Sequence, residues 1–241
     1  MIDEGAFRRG IKEISRDLQP IWPEGRNLNS IAGDGPHYTL NGFDRPVSIG
    51  RIEAATLKNI AELLPVASAF EIGTGFGYSS LWIGAGMALS GREHLWLTSL
   101  DAQTEGRLHD NGRRFAQAAA ETLGLSSIIH YVVGSSPADV PAVLTGRMLD
   151  LVFIDGNHHG EQPLADYKAV RNSVQENGLL LFHDVEPRYS VSDAISASLR
   201  DGWSFAGLPT SCRLGACYRT PRAFDCLLEA FHRARTAMQH A

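Results

Sequence analysis

The stretch Phe70-Glu-Ile-Gly-Thr-Gly-Phe-Gly-Tyr-Ser-Ser80 decides the fold, because it joins a buried strand to a helix through a glycine-rich turn. Gly73, Gly75 and Gly77 alternate with larger residues, and this spacing allows a tight turn that a ligand can approach closely. An acid, Glu71, stands two residues before the first glycine. The following helix directs its N-terminal amides and the positive end of its dipole at the same place. The stretch therefore predicts a site for a nucleotide-like cofactor.

Strands and helices alternate on the C-terminal side of this turn. The pattern predicts strands over 66–72, 94–100, 128–133, 149–154 and 179–182, with helices over 78–89, 104–123, 137–144 and 161–176 between them. Continuous apolar strands that are separated by helices indicate a parallel sheet covered on both faces. After a helix over 191–199, the segments 203–208 and 214–219 are predicted to form an antiparallel pair, and a last helix begins after Thr220-Pro221.

The residues before the sheet are predicted to form a helical cap. An apolar face predicts a helix over 7–18, and a second helix is predicted over 49–64. Residues 23–46 are rich in Gly, Asn, Asp and Pro, and we expect an ordered loop there that covers the substrate, with His37, Tyr38, Trp22 and Phe43 as its candidates. We therefore expect 1–65 to form the N-terminal helices and lid, 66–220 the cofactor-binding core, and 221–241 a C-terminal helix.

Composition restricts the class of protein and its partners. The 241 residues are 44% hydrophobic and 20% charged, as in an ordinary globular protein, and the net charge of -5 gives no footprint for nucleic acid or an anionic membrane. Three cysteines without CxxC spacing fit a reducing compartment. We expect no signal peptide, since the start lacks a basic and an apolar region, and no apolar run approaches the ~18 residues of a spanning helix. The prediction is a cytoplasmic protein.

Acids gather at the predicted carboxyl ends of the strands, where doubly wound sheets bind their ligands. The five strand ends carry Glu71 with its glycines, Asp101, Gly134-Ser135-Ser136, Asp155 and His183-Asp184. Asp101, on the strand after the glycine turn, can accept both hydroxyls of a ribose; its alternative role is to cap the next helix. The sequence thus predicts one site that spans several strand ends.

Asp155, His183 and Asp184 are candidate ligands of a divalent cation. Neighbouring strands lie ~4.8 Å apart, so the two strand ends can converge on one ion, and their donor types suit Mg or Mn. His183 and Asp184 would point to opposite faces while the strand lasts, so both reach the site only if the strand has already turned away. The alternative is that Asp184 caps the next loop and His183 packs beneath the site.

The glycine turn and the acid on the next strand resemble motif I of the class I S-adenosylmethionine-dependent methyltransferases. A dinucleotide fingerprint would read GxGxxG, but its third glycine is replaced here by Tyr78. The resemblance implies that the glycines border the amino-acid part of S-adenosylmethionine, that Asp101 holds its ribose, and that Ser135 and Ser136 lie by its adenine. The cofactor-binding residues it implies are Glu71, Gly73, Thr74, Gly75, Gly77, Tyr78, Ser79, Asp101, Ser135, Ser136 and Asp155.

The segments Leu151-Val-Phe-Ile-Asp-Gly-Asn-His158 and Leu179-Leu-Leu-Phe-His-Asp-Val185 resemble the cation-dependent, catechol-type small-molecule O-methyltransferases. That group has a lysine as general base where this chain has His158, and Asp-Asn as metal ligands where this chain has His183-Asp184. The pattern is closer to a broader bacterial group of class I methyltransferases, some of which act on sugars or antibiotic intermediates. An imidazole is an apt general base near neutral pH, and His159 could exchange roles with His158. By this resemblance Asp155 and His158 are the catalytic residues.

The fold class that we predict is α/β, a Rossmann-like doubly wound sheet of seven mixed strands with the last strand antiparallel. The predicted function is transfer of a methyl group from S-adenosylmethionine to a hydroxyl oxygen of a small molecule, with a divalent cation such as Mg or Mn. An NAD-dependent oxidoreductase and a non-catalytic S-adenosylmethionine-binding protein are the alternatives. The fourth strand lacks the Pro-Pro-aromatic motif used on nucleic-acid amines. The last helix is predicted to pack on its own domain or at a homodimer interface.

Overall fold

The computed structural model describes residues 49–75, 77–102, 113, 116–121 and 123–239, together with the backbone of 28–29, 37–40 and 43–46. The predicted helix over 7–18 lies outside these residues, as do the side chains proposed for the lid. Within the described part of the chain, none of the helices combines the length and apolarity that crossing a bilayer requires.

Three short strands lie within the region that was expected to be a loop. They are β1 (Leu28–Asn29), β2 (His37–Leu40) and β3 (Phe43–Pro46), and they form an antiparallel sheet in the order β1-β2-β3. The prediction of a loop over 23–46 is therefore wrong for these segments. Leu40 pairs with Phe43, and the sequence between these two residues is Asn-Gly. Asn-Gly is a strong hairpin signal in a sequence, so the pairing of β2 with β3 was predictable from it.

A second sheet of seven strands forms the centre of the molecule and confirms the predicted fold class. Its strands are β4 (Ser68–Ile72), β5 (Trp96–Asp101), β6 (Ile129–Val133), β7 (Leu149–Ile154), β8 (Val174–Phe182), β9 (Ser204–Gly207) and β10 (Gly215–Tyr218). The order is β6-β5-β4-β7-β8-β10-β9. The five strands from β4 to β8 pair in parallel, whereas β10 is antiparallel to both of its neighbours. The order reverses between β4 and β7, which is the switch point where such sheets bind ligands.

Helices cover both faces of this sheet. They are α1 (Arg51–Leu63), α2 (Tyr78–Leu89), α3 (Val140–Leu144), α4 (Gln162–Val170), α5 (Val191–Arg200) and α6 (Pro221–Gln239), and residues 116–121 are also helical. Leu151 and Phe153 of β7 pack into the core under α1, α2 and α6, while Val152 and Ile154 pack into the core under α3, α4 and α5. This alternation explains why the strand is apolar at successive positions. Burial of each such side chain is worth about 1.5–3 kcal/mol.

The boundary between α4 and β8 differs from the prediction. The helix that was predicted over 161–176 ends at Val170, a 3₁₀ turn spans Arg171–Ser173, and β8 begins at Val174 instead of residue 179. Val174 pairs with Leu149, but the register shifts before Leu151 meets Leu179. Residues 175–177 are exposed in this irregular stretch. In a polar, irregular strand start, apolar and polar residues do not alternate, so the sequence there resembled the end of a helix.

Backbone hydrogen bonds continue for one residue beyond the ends of the central strands. The amides of Gly73, Asp155, His183 and Gly134 donate to the carbonyls of Leu100, Ile72, Ile154 and Asp101, at 2.9, 2.9, 3.1 and 3.0 Å. Each strand end is thereby tied to its neighbour. The residues that follow the strands are consequently held side by side along one edge of the sheet, as the sequence predicted.

Candidate active site

The glycine turn has a backbone that only glycine adopts without strain. Gly73, Gly75 and Gly77 have φ angles of +95°, +50° and +74°. A Cβ on Gly73 would lie 2.1 Å from the carbonyl oxygen of Asp155, and one on Gly77 would lie 2.4 Å from Cβ of Ala116. The turn is therefore packed directly against the end of β7. This close approach places the predicted cofactor loop beside the predicted metal ligand.

Glu71 lies beneath this turn and holds it in place. The side chain is fully buried, and its carboxyl group accepts hydrogen bonds from the hydroxyls of Ser79 and Ser99. The hydroxyl of Thr74 lies 2.7 Å from that of Ser99 and extends the network into the loop. Burial raises the pKa of Glu71 to about 8, and the two serine hydrogen bonds only partly oppose this. Of the residues predicted to bind cofactor, Glu71, Thr74 and Ser79 thus form the support of the loop.

Tyr78 is the first residue of α2, and its side chain lies in the core. Its ring is 4% exposed and meets the ring of Trp82 edge-on at 6.1 Å. A cofactor in front of the turn would therefore meet the backbone of Tyr78 and not its ring.

Asp101 connects the end of β5 to the glycine turn. Its Oδ2 accepts hydrogen bonds from the amides of Thr74, at 2.9 Å, and Gly75, at 3.3 Å. The carboxylate is partly exposed beside the turn. The structure thus brings Asp101 to the place that the sequence predicted, and its ribose contact stays a prediction.

The end of β6 is organised by two further acids. The amide of Ser135 donates to Asp139 at 2.7 Å, and the hydroxyl of Ser136 donates to Oδ1 of Asp166 at 2.6 Å. Gln162 binds both the carbonyl of Ser136 and Oδ1 of Asp166. Asp166 is 1% exposed, and its burial raises its pKa. Of the predicted adenine contacts, Ser136 is therefore held in position by α4, and Ser135 by Asp139, which directly precedes α3.

Asp155, His183 and Asp184 converge at the ends of β7 and β8. Nδ1 of His183 lies 3.0 Å from Oδ1 of Asp155 and 3.3 Å from Oδ2 of Asp184. The strand ends at Phe182, and Asp184 has a φ of +53°, so the chain has turned before it. This turn allows His183 and Asp184 to face the same site, which was the condition that the sequence had set.

The three side chains border a pocket that Gly156, Asn157 and His158 also line. Nδ1 of His183 is buried and has the hydrogen-bond geometry for neither carboxylate, although both are close. The three ligand atoms lie within 4.8 Å of one another. Two carboxylates and an imidazole nitrogen are a donor set that suits a divalent cation such as Mn or Mg. The residues therefore fit the predicted cation.

A further carboxylate faces His183 from behind. Oε2 of Glu53, which is fully buried in the first turn of α1, lies 3.4 Å from Nε2 of His183. Burial would lower the pKa of His183, but Asp155 and the other acids raise it well above its ordinary value. Burial raises the pKa of Asp155 despite the nearby histidine. Burial also acts to raise the pKa of Asp184 and of Glu53, but His183 together with other hydrogen bonds and charges outweighs it, so both pKa values are lowered. Three carboxylates thus surround one imidazole.

His158, and not His159, is the histidine that the structure brings to these acids. Nδ1 of His158 lies 3.3 Å from Oδ2 of Asp184. Its ring packs against that of Tyr189, with 4.0 Å between centroids, and its carbonyl accepts a hydrogen bond from the amide of Ser190. His159 is exposed beside it, and its amide donates to Asn157. The chain after β8 therefore fixes the orientation of His158.

Glu53, Asp166 and Tyr189 are residues of the site that sequence reasoning missed. Asp166 had a signal, since it lies between Pro163 and Tyr167 on the buried side of α4. Glu53 is the third residue of α1 and lies three residues after Gly50, a spacing that is typical of a capping residue and gives no sign of a contact with His183. Its meeting with His183, 130 residues later, is a tertiary contact.

Comparison with known proteins points to one family. Residues 70–185 match the Methyltransf_24 family, a methyltransferase domain. A protein of Mycobacterium sp. (strain JLS) named "Putative O-methyltransferase" is 30% identical over 129 residues, which are 54% of this chain and 53% of that protein. The chain thus matches about half the length of this relative. The same name and the same identity recur in Mycobacterium sp. (strain KMS).

Solved structures share the fold at low sequence identity. The O-methyltransferase from Bacillus cereus in complex with SAH has a TM-score of 0.64 and 12% identity, over 87% of this chain and 90% of that one. TomG from Streptomyces achromogenes, an O-methyltransferase involved in tomaymycin synthesis and solved with SAM, has a TM-score of 0.61 and 12% identity, over 91% and 92%. The predicted resemblance to class I S-adenosylmethionine-dependent methyltransferases is confirmed.

Proposed function

We propose that this chain transfers a methyl group from S-adenosylmethionine to a hydroxyl oxygen of a small molecule, with the help of a divalent cation. The names of the relatives and of the structural neighbours support O-methylation. The observation that carries the proposal is the convergence of Asp155, His183 and Asp184 directly beside the glycine turn, since Gly73 packs on the carbonyl of Asp155. Two groups of residues therefore meet at one edge of the sheet. We call Glu71, the turn from Gly73 to Gly77 and Asp101 the cofactor half, and Asp155, His158, His183 and Asp184 the catalytic half.

The cofactor half is preorganised by the chain itself. S-adenosylmethionine, when bound, supplies a methyl group on a positively charged sulfur. The glycine turn offers bare backbone at the start of α2, and Asp101 fixes that turn through the amides of Thr74 and Gly75. Methyl transfer needs the oxygen, the carbon and the sulfur in line, so rigid placement of the donor contributes directly to the rate. The buried Glu71 network supplies that rigidity.

The catalytic half would hold the cation with Asp155, Asp184 and Nδ1 of His183. A divalent cation bound there would supply Lewis acidity that makes the hydroxyl of the acceptor easier to deprotonate. His158 is the proposed base. Its Nδ1 faces Asp184, which leaves Nε2 to take the proton, and the carboxylate stabilises the imidazolium that results. Tyr189 restrains the ring in this orientation.

Calorimetric titration followed by an activity assay tests the proposal. We expect S-adenosylmethionine and S-adenosylhomocysteine to bind and NAD to give no heat. We expect a panel of catechols, sugars and phenols to include an acceptor that gains a methyl group with Mg or Mn present. Binding of NAD without binding of S-adenosylmethionine would favour the alternative, an NAD-dependent oxidoreductase. Tight cofactor binding without transfer to any hydroxyl would favour the non-catalytic alternative. The cytoplasmic compartment and the homodimer stay predictions.

A further inference from the structure

Two backbone amides and one ring nitrogen of His183 face the carboxylate of Glu53. Its Oε2 accepts the amide of Gly50 at 2.7 Å, and its Oε1 accepts the amide of Cys212 at 3.2 Å. Nε2 of His183 faces the same Oε2 at 3.4 Å. Backbone amides can only donate, so both oxygens of Glu53 must act as acceptors. An ionised carboxylate meets this requirement, and the lowered pKa of Glu53 is consistent with it.

This arrangement dictates which nitrogen of His183 carries a proton. Since Oε2 of Glu53 is an acceptor, the nitrogen that faces it must present N–H. In the neutral imidazole, the lone pair then lies on Nδ1. Nδ1 points toward Asp155 and Asp184, whose oxygens are 3.0 and 3.3 Å away, and it has no hydrogen bond to either. A lone pair and two carboxylates that face one another repel, and either a second ring proton or a cation bound between them removes this repulsion.

We propose that Glu53 is a positioning residue that holds His183 as the Nε2–H tautomer and directs its Nδ1 lone pair at the cation. The inference rests on the proposed function, because it assumes the cation of that site. Metal-bound histidines commonly donate their other N–H to a carboxylate, and loss of such a partner weakens metal binding by about 10- to 100-fold. Glu53 belongs to α1, which precedes the matched domain at 70–185. The segment before that domain is thereby part of the site.

A matched pair of variants on one helix tests the assignment. Glu53→Gln keeps the size of the side chain but replaces one acceptor oxygen with an NH₂ group, which cannot satisfy the three donors. Glu62→Gln is the control, since Glu62 lies on the same helix and forms a surface pair with Lys58 at 3.1 Å. We expect the dissociation constant of Mn²⁺, measured by calorimetry, to rise about 10- to 100-fold in Glu53→Gln only. Binding of S-adenosylhomocysteine is the check that each variant is folded.

Nitrogen-15 spectra of the histidine rings test the tautomer without a variant at Glu53 and without turnover. His183→Asn serves to assign the signals. With Zn²⁺ as a diamagnetic probe, we expect the His183 ring to be protonated at Nε2 and metal-bound at Nδ1. Protonation at Nδ1 instead, or equal Mn²⁺ affinity in Glu53→Gln and Glu62→Gln, would overturn the proposal.

If the unaltered protein binds neither Mn²⁺ nor Zn²⁺, the nitrogen-15 spectrum recorded without metal tests the role of Glu53. A hydrogen-bonded Nε2–H signal that is present in the wild type and Glu62→Gln but altered in Glu53→Gln supports the positioning role. The same signal in all three proteins refutes it. Because none of these readouts requires methyl transfer, an inactive but correctly protonated site would count against the proposed function and leave the role of Glu53 standing.

Discussion

The ends of β4 and β5 and the ends of β7 and β8 both carry acids that are wholly or partly buried, yet the two halves of the sheet edge satisfy them differently. Glu71 and Asp101 accept hydrogen bonds from hydroxyls and amides of the chain itself. Asp155 and Asp184 instead face His183, and Glu53 approaches the same ring from behind. In the first half, hydrogen bonds from the chain itself pair with the carboxylates, whereas in the second half three carboxylates face a single imidazole.

This difference corresponds to two functions, placement of the methyl donor and chemistry at the acceptor. A region whose polar groups are paired internally is rigid, so it can present a fixed backbone to a ligand. A region with an excess of negative charge is stabilised by a proton or by a cation, and it responds to whichever is bound. Placement of the donor and chemistry at the acceptor are thus divided between neighbouring strand ends, and substitutions in the two halves should have different signatures.

The largest effect is expected from Asp155→Ala. Loss of a cation ligand should cost at least as much as loss of its supporting residues, so we expect turnover with Mg or Mn to fall by about 100-fold or more. Binding of S-adenosylhomocysteine should persist, because the glycine turn is held by other residues. Asp193→Ala, on the exposed side of α5, is the control. A chelator should reproduce the loss, and full activity in its presence would remove the cation from the catalytic half.

His158→Ala should reduce turnover by about 100-fold without a change in Mn²⁺ affinity, because a positioned general base contributes at least that much. His159→Ala is the matched neighbour, and since His159 does not reach Asp184, its turnover should stay close to that of the wild type. The assay is methyl transfer at saturating cofactor. An equal loss in both variants would mean that the structure has not distinguished the two histidines.

Gly73→Ala should damage the cofactor half by a purely steric route. The added Cβ would lie 2.1 Å from the carbonyl oxygen of Asp155 at a φ of +95°. Overpacking and backbone strain together predict a loss of about 2–5 kcal/mol of unfolding free energy in urea. Gly91 also has a positive φ, of +72°, but nothing lies within 4 Å of its Cβ position. Gly91→Ala should therefore lose only about 1–2 kcal/mol, and equal losses would show that packing on β7 is unimportant.

The last expected effect concerns the pH dependence of stability. Burial raises the pKa of Glu71 from its ordinary 4.5 to about 8, so between these values the folded state binds one more proton than the unfolded chain. Stability should therefore fall as the pH rises across this range, by up to about 1.4 kcal/mol per pH unit. Glu71→Gln should flatten this dependence, and Glu121→Gln, on an exposed residue, should not. An unchanged slope in Glu71→Gln would mean that Glu71 is ionised in the folded protein.

The cofactor half was largely predictable from the sequence. A glycine turn needs positive φ angles, and an acid on the next strand follows it in the chain, so Gly73, Gly77 and Asp101 could be placed from local pattern alone. The apolar strands over 149–154 and 179–182 likewise indicated a parallel sheet that helices cover on both faces. The sequence did not reveal that Glu71 and Tyr78 are buried, because the side of the turn that a residue faces depends on packing.

The catalytic half was predictable only in part. Asp155, His183 and Asp184 follow strands whose ends meet, so their convergence followed from topology. Glu53 could not be found in this way, because its approach to His183 depends on how α1 packs across the sheet. The irregular start of β8 was also hidden, since its register is set by pairing with β7 and not by its own residues.

A crystal structure grown with S-adenosylhomocysteine and Mn²⁺ tests the central claim most directly. The account predicts an anomalous peak between Asp155, Asp184 and Nδ1 of His183, with the homocysteine part of the ligand against the turn from Gly73 to Gly77. A structure with the ligand bound at that turn and no peak among the three side chains, at saturating Mn²⁺, would contradict it.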